Sequence, residues 1–484
     1  MIRAQWRRSF ADRPAAALAL PGIVVLLVAF GEAFVMPQTA PRLETEAGPL
    51  AGASPLWSWA GALAVLVPDS RRGILLATLL LAATAFAAYG VGVAISRRRT
   101  ALAAPGTVAP RRQVGIVVGV AGLAFGITTV ALPTLDSDIF SYIADGRVAA
   151  VHDANPEVVA PAAFPDDPLV RYASPRYRGI AGDNKLPFWT AVTATLARAA
   201  SDDPVRAVMT YRVFFLALNV LNLGLVGWIL RRLRPDLVLA GLVAYGWNPI
   251  VISTGESKVD VLMATFVLLA VAAVAANRPR PAIVALALSA LTKLISLPLL
   301  LVRLGGEARR RRWREALLDL GLVAAVAVAV YLPFWAGPAE IRGHLALLGG
   351  VGSSQPVAVR LLIDAGFLAV LGWAIASDDG STERLIRGWT VTLLYFGALL
   401  TTPGLSWYLL TLIALLAVTA DGRLVAAGIA VCGVSFLFDR VQRFELGEIV
   451  HLAGSVIFVA AGAAIIAALV TLVLGRHHRW AATV

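Results

Sequence analysis

An all-α protein that crosses a membrane many times is the fold class this sequence predicts, on three observations. Of its 484 residues, 58% are hydrophobic and only 15% are charged, with a mean hydropathy of +0.77. Apolar runs of roughly 18 or more residues recur from end to end, long enough to cross a hydrocarbon core of about 30 Å. The apolar–polar alternation of membrane strands is missing, which argues against a β-barrel. No soluble domain and no short repeat interrupts the pattern, so 1–484 reads as a single integral membrane domain.

The net charge of +12 is not arranged for nucleic acid. The arginines fall in short runs between apolar segments: Arg97–Arg99 with Arg111 and Arg112, Arg231 and Arg232 with Arg234, and Arg309–Arg312 with Arg314. That is the positive-inside pattern of cytoplasmic loops. The single cysteine, Cys432, lies in an apolar run and excludes an intrachain disulfide. The first apolar run is too long for a cleaved signal peptide, so it reads as a span.

Taken in order, Arg3, Arg7, Arg8 and Arg13 keep the N-terminus cytoplasmic, and a first span follows at about 15–34. Ser54–Val67, with Trp57 and Trp59, is short and suits the interface. Spans at about 73–95 and 113–132 flank the basic loop 97–112. The segment 136–205 is the longest polar excursion. Within it Ile139–Val151 has the spacing of an amphipathic helix lying on the outer surface, ended by Asn155-Pro156. Pro187–Ala200 is a second short apolar stretch for the interface. Spans at about 207–230, 238–252 and 259–276 come next.

Treating 281–304 as one ordinary span would place Lys293 at mid-membrane and Arg309–Arg314 outside, both costly. A hairpin resolves this: 281–291 rises, the chain turns at Thr292-Lys293, and 296–304 descends. The remaining spans alternate at about 316–334, 357–376, 388–402, 405–420, 422–437 and 451–474, and the C-terminus returns to the cytoplasm. The total is about 12–14 passes.

This topology gathers unusual polar residues on the outer side. Asp136 and Asp138 are candidates for acid–base work, since glycosyl transfer needs a carboxylate to take the acceptor's proton. The same spacing also suits a divalent ion or a helix cap. Lys293, Lys258, Arg440 and Arg443 are candidates for phosphate contacts; snorkelling or headgroup contact are their ordinary alternatives. Arg147, Glu256 and Asp260 are candidates for holding substrate, and Trp407 with Tyr408 for stacking on a sugar, although aromatics also form belts at this depth. His152 reads as a surface histidine, and the histidines make no zinc motif.

The stretch DSDIFSYIADGRVAAVHDANP resembles a motif of the GT-C superfamily of membrane glycosyltransferases, nearest to the actinobacterial polyprenyl-phosphate-mannose-dependent α-mannosyltransferases. Asp138, Tyr142, Gly146-Arg147 and Asn155-Pro156 carry that likeness. Trp247-Asn248-Pro249 with Asp260, Thr292-Lys293 and Trp407-Tyr408 resemble further family segments. Relatives often carry His-Asn where this chain has Lys258-Val259, and Tyr-Gly-Pro-Leu where it has Asn184-Lys185-Leu186-Pro187.

The resemblance implies a GT-C-like bundle in the bacterial cytoplasmic membrane, with 136–205 as an extracytoplasmic catalytic loop. It implies transfer of a sugar, mannose in such relatives, from a polyprenyl phosphate to a hydroxyl of a glycan or glycolipid. The reaction would be inverting, with Asp136 the first choice of base and Asp138 the second, and without a metal cofactor. Lipids and the lipid-linked donor are the partners it implies, with no nucleic acid. The competing reading from a different class is a secondary transporter or lipid flippase, which the broken 281–304 segment also suits.

Overall fold

The computed structural model describes residues 14–35, 57, 59–66, 70–102, 106–131, 138–182, 185–254, 257–338, 357–400 and 405–442. Among them the chain is helical with no β-sheet. Among the described residues seven helices are long and apolar enough to cross a membrane, including the early segments Ala17–Val35, Arg72–Leu102 and Arg111–Thr129. Shorter apolar helices lie between them. The protein is therefore a multi-pass α-helical membrane protein. The expected span at 451–474 and both termini lie outside the described residues.

In chain order the helices are α1 (Pro14–Phe30), α2 (Arg71–Leu102), α3 (Arg111–Thr129), α4 (Asp138–Ala150), α5 (Pro187–Ala199), α6 (Pro204–Leu233), α7 (Val238–Gly246) and α8 (Pro249–Thr254). Then come α9 (Asp260–Ala275), α10 (Pro279–Thr292), α11 (Leu297–Arg309), α12 (Trp313–Tyr331), α13 (Val357–Ser377), α14 (Thr382–Tyr395), α15 (Leu410–Val418) and α16 (Gly422–Gln442). Proline sets many of the starts: Pro187, Pro204, Pro249 and Pro279 each occupy a first helical position, where the missing N–H costs nothing.

Polar contacts define the two ends of the bundle. At one end Arg97 donates to the Thr419 carbonyl at 3.2 Å, Thr100 to that of Asp236 at 2.8 Å and Arg232 to that of Ala275 at 2.7 Å. Arg234 pairs with Asp236 at 3.0 Å and reaches Glu383 at 3.8 Å. Arg310 pairs with Asp378 there. Arginine thus meets helix C-terminal carbonyls and their negative dipoles. Because Arg310 at the foot of α11 and Ala275 beside the start of α10 share this end, α10 and α11 run in opposite directions. The reversal expected at Thr292-Lys293 is present: Lys293 is extended (φ −165°, ψ 138°) between α10 and a 3₁₀ turn. Ser289 closes it, donating to Ser296 Oγ at 2.7 Å or to the Met263 carbonyl of α9 at 3.1 Å.

Two expectations change. The segment 238–252 is not one span but α7 and α8, broken at Trp247-Asn248-Pro249; Asn248 Oδ1 accepts from Ile250 N–H at 2.9 Å and starts α8. Proline removes the donor that would have continued the helix. Nor does Ile139–Val151 lie free on the surface. Most of α4 is buried, including Tyr142, Gly146 and Arg147, because α5, α6 and the loop after it cover what was expected to be a wet face. Tyr142 meets Trp189 edge-on at 4.9 Å, and Thr193 donates to the Tyr142 carbonyl at 2.6 Å.

At Gly146 α4 packs tightly against α5 and α6. A Cβ there would sit 2.5 Å from the Thr193 carbonyl and 2.6 Å from the Tyr211 hydroxyl. Gly146→Ala is expected to lower stability by about 1–3 kcal/mol, the usual cost of overpacking. Thermal unfolding in detergent checks it, with Gly119→Ala, which meets nothing within 4 Å, as the silent control.

Candidate functional site

The end of the bundle opposite the arginine layer carries two aspartate–lysine pairs, buried except for the half-buried Asp138. Asp138 opens α4, and its Oδ2 accepts from Lys258 Nζ at 2.7 Å. Asp260 opens α9, and its two oxygens lie 3.2 and 3.4 Å from Lys293 Nζ at the reversal. Each lysine also faces an aromatic ring: Lys258 Nζ is 3.7 Å from the centre of Trp407, and Lys293 Nζ is 3.8 Å from that of Tyr408. The 3₁₀ turn Ser406–Leu409 makes this possible, setting the two neighbouring rings at 86° to each other. Lys258 is 1% exposed and Lys293 8%. Ammonium groups so far from water need both a counter-charge and a π-face to remain charged.

A third lysine, Lys185, joins them. It is buried, and its Nζ lies 4.8 Å from the Tyr142 ring and 5.8 Å from that of Tyr177. The Leu186 N–H donates to the Thr292 carbonyl at 3.2 Å, so the Lys185 segment rests on the α10–α11 reversal. Sequence reasoning treated Lys185 only as a departure from a family pattern. Its signal was a lone cation just before an apolar helix. Three lysines, two aspartates and two aromatic rings thus meet at this end of the bundle, with cationic groups in excess.

Charge placement tunes the carboxyls of α4. Burial by itself raises the Asp138 carboxyl, but Lys258 above all, helped by Lys185 and Lys293, overcomes this and holds it well below the ordinary range. Asp145, two turns along the same face of α4, is pushed up to about 7 by burial, with Lys185 opposing the shift and Glu157 adding to it. Burial also lowers Lys185, against the pull of Asp138 and Asp145.

The other expected residues go elsewhere or lie outside the described part. Arg147, expected at substrate, is held by Asp167 at 2.8 Å and Asp202 at 2.8 Å. Asp167 also takes His152 at 2.8 Å, and the imidazole stacks on Phe164 at 3.9 Å, so His152 is part of a loop clamp rather than a plain surface group. Arg440, expected at phosphate, pairs with Glu32 at 2.7 Å, both nearly fully buried. Asp136, Glu256 and Arg443 lie outside the described residues. Among the described residues no group of three or more His, Cys, Asp or Glu could hold a metal ion.

Two helpers escaped the sequence reading although each stood alone inside an apolar run, the signal for an intramembrane ionisable group with a task. Glu32 is one. Arg212 of α6 is the other; it is 1% exposed and donates to the carbonyls of Thr129, at 3.0 Å, and Ala131. It thereby caps the C-terminus of α3 just before the stretch that carries Asp136.

Compared with known proteins, the chain matches no family model, no curated protein and no solved structure.

The pairs predict an asymmetric mutational response. Lys293→Met or Asp260→Asn alone is expected to cost about 3–5 kcal/mol by leaving a buried charge or an unmet cation. The double variant should regain a large part of that, read as a non-additive cycle in detergent melts. The pH response follows from Asp145. Its pKa is raised on folding, so its contribution is complete below the unfolded value of about 4 and is lost as pH rises to about 7. The melting temperature should fall across that window, and Asp145→Asn should flatten the profile. Asp138, whose pKa is lowered, has the opposite sign and loses its contribution only in stronger acid.

Proposed function

We propose that this protein is a membrane glycosyltransferase of GT-C type, moving a hexose, by family resemblance mannose, from a polyprenyl phosphate to a glycan or glycolipid hydroxyl. The observation that carries this reading is the convergence of Asp138–Lys258–Trp407 and Asp260–Lys293–Tyr408 at one end of a membrane bundle. Five of these six residues carry the resemblance in four separate stretches; the sixth, Lys258, stands where relatives often carry histidine. The arginine excess at the opposite end supports a site facing outside the cytoplasm, and the resemblance supports a bacterial inner membrane with both termini cytoplasmic.

The division of labour follows from the electrostatics. A general base works best with a pKa near the operating pH. Asp138 is held low by Lys258 and already accepts its hydrogen bond, which makes it a poor proton acceptor and a good counter-ion. The base role therefore goes to Asp136, two residues earlier. It takes the acceptor hydroxyl's proton as that oxygen attacks the anomeric carbon and the bond to the lipid phosphate breaks. The departing phosphate gains negative charge, which the fixed ammonium groups of Lys258, Lys293 and Lys185 stabilise without reorganising. Trp407 and Tyr408, beside the two lysines, would stack on the sugar. Asp260 keeps Lys293 in place, and Arg147 holds the loop. Glu256 precedes Lys258 by two positions in the sequence.

The two broken helices, α7–α8 and α10–α11, favour one other reading, a lipid or solute transporter, because such breaks line substrate paths in transporters. The purified protein, given labelled polyprenyl-phosphate mannose and candidate acceptors, is expected to release free lipid phosphate. Asp136→Asn should lower turnover by about 10²–10⁴-fold with an unchanged melt. Full activity in that variant would remove Asp136 as base. Movement of labelled lipid across proteoliposomes with no sugar transfer would select the transporter.

A further inference from the structure

Asp138, Tyr142 and Asp145 occupy positions i, i+4 and i+7 of α4, so one face of the helix carries all three. Lys185 Nζ lies over the middle one, 4.8 Å from the centre of the Tyr142 ring. The two carboxyls are about 10 Å apart along the helix axis. The buried ammonium stands between them, and both attract it. Lys185 is thus shared along α4.

The two sharers are held differently. Asp138 Oδ2 accepts from Lys258 Nζ at 2.7 Å. Among the described residues the Asp145 carboxyl takes part in no hydrogen bond or ion pair. A carboxylate without such a donor keeps its charge through the surrounding field alone, so its proton follows the charges nearby. Glu157, beyond the end of α4, repels a second negative charge, and its Oε1 accepts from Thr190 of α5 at 2.9 Å. Tyr211 of α6 faces Asp145, with its hydroxyl 2.9 Å from Thr193 Oγ1. Tyr177 stands across Lys185, 5.8 Å from its Nζ. Arg147 of α4 is tied to Asp167 and Asp202. Lys185 is therefore the cation that decides whether Asp145 is charged.

An anion entering the lysine cluster competes for that ammonium. Once its charge lies against Lys185, the Asp145 carboxylate loses an attraction and gains a repulsion. Taking up a proton removes both costs. We infer that Asp145 is a positioning residue acting through Lys185: it takes a proton from solvent as the donor's phosphate arrives, releasing Lys185 to the phosphate, and returns that proton when the lipid phosphate leaves. The arrival of a phosphate rests on the proposed function; the coupling of Asp145 to Lys185 does not.

Below a pH of about 7 Asp145 already holds its proton, so an anion binds there without further uptake. Above it, each pH unit should weaken binding about tenfold until the carboxyl of the complex itself ionises. The probe is farnesyl methyl phosphate, a diester whose single negative charge does not change over this range. Calorimetric titration of the full-length protein at about pH 8.5, in buffers of different ionisation enthalpy, should show close to one proton taken up per diester. Asp145→Asn should abolish the uptake and flatten the pH profile. It should also bind the diester about tenfold more tightly than wild type at that pH, a gain that a misfolded variant cannot produce. With polyprenyl-phosphate mannose the same variant should lower KM there in proportion. Lys185→Met should bind the diester weakly throughout and take up little, because its Asp145 is protonated beforehand. Uptake that persists in Asp145→Asn, or a wild-type affinity that stays flat from about pH 7 to 9, would overturn the proton coupling and leave the lysine cluster as an anion site. A diester that fails to bind wild type at any pH would overturn this inference and the phosphate reading together.

Discussion

Keeping lysines charged inside an apolar bundle is the constraint on which this structure turns. An ammonium ion loses several kcal/mol of hydration on burial unless a carboxylate and further polar or π contacts replace it. Lys258 and Lys293 meet that demand in the same way, each with an aspartate at a helix start and one ring of an adjacent aromatic pair. The requirement draws α4, the start of α9, the α10–α11 reversal and the turn before α15 to one place. These four elements cannot separate without stranding a charge.

The chain reversal at Lys293 serves that arrangement. A straight helix would have carried the lysine through mid-membrane, whereas two short arms bring it to the end of the bundle and hide the broken backbone within protein. Ser289 satisfies part of the interruption through Ser296 or Met263, and Leu186 covers a further carbonyl. The Lys185 segment is thus attached to the reversal by backbone as well as by field. This explains how a third cation reaches a pocket that its position in the chain does not suggest.

Much of the architecture was legible because hydropathy and arginine placement are strong, additive signals over long windows. The reversal was legible for a sharper reason: one lysine and one basic run were both misplaced by the alternative. Partnership was harder to read. Nothing local distinguishes Arg147, held by Asp167 and Asp202, from Lys258, facing Asp138 and Trp407. Each is a cation near a polar stretch, and only the fold decides which carboxylate arrives. The amphipathic spacing of α4 misled because a surface that looks wet in isolation was covered by α5 and the loop around Phe164 and Tyr172. Glu32 and Arg440, 408 positions apart, could be matched only in three dimensions.

The Arg212 contact has a mechanical meaning. A guanidinium reaching several carbonyls at a helix terminus is a rigid bracket, and it belongs to α6, not to the segment it holds. The departure point of the following aspartate stretch is thereby referenced to a helix deep in the bundle.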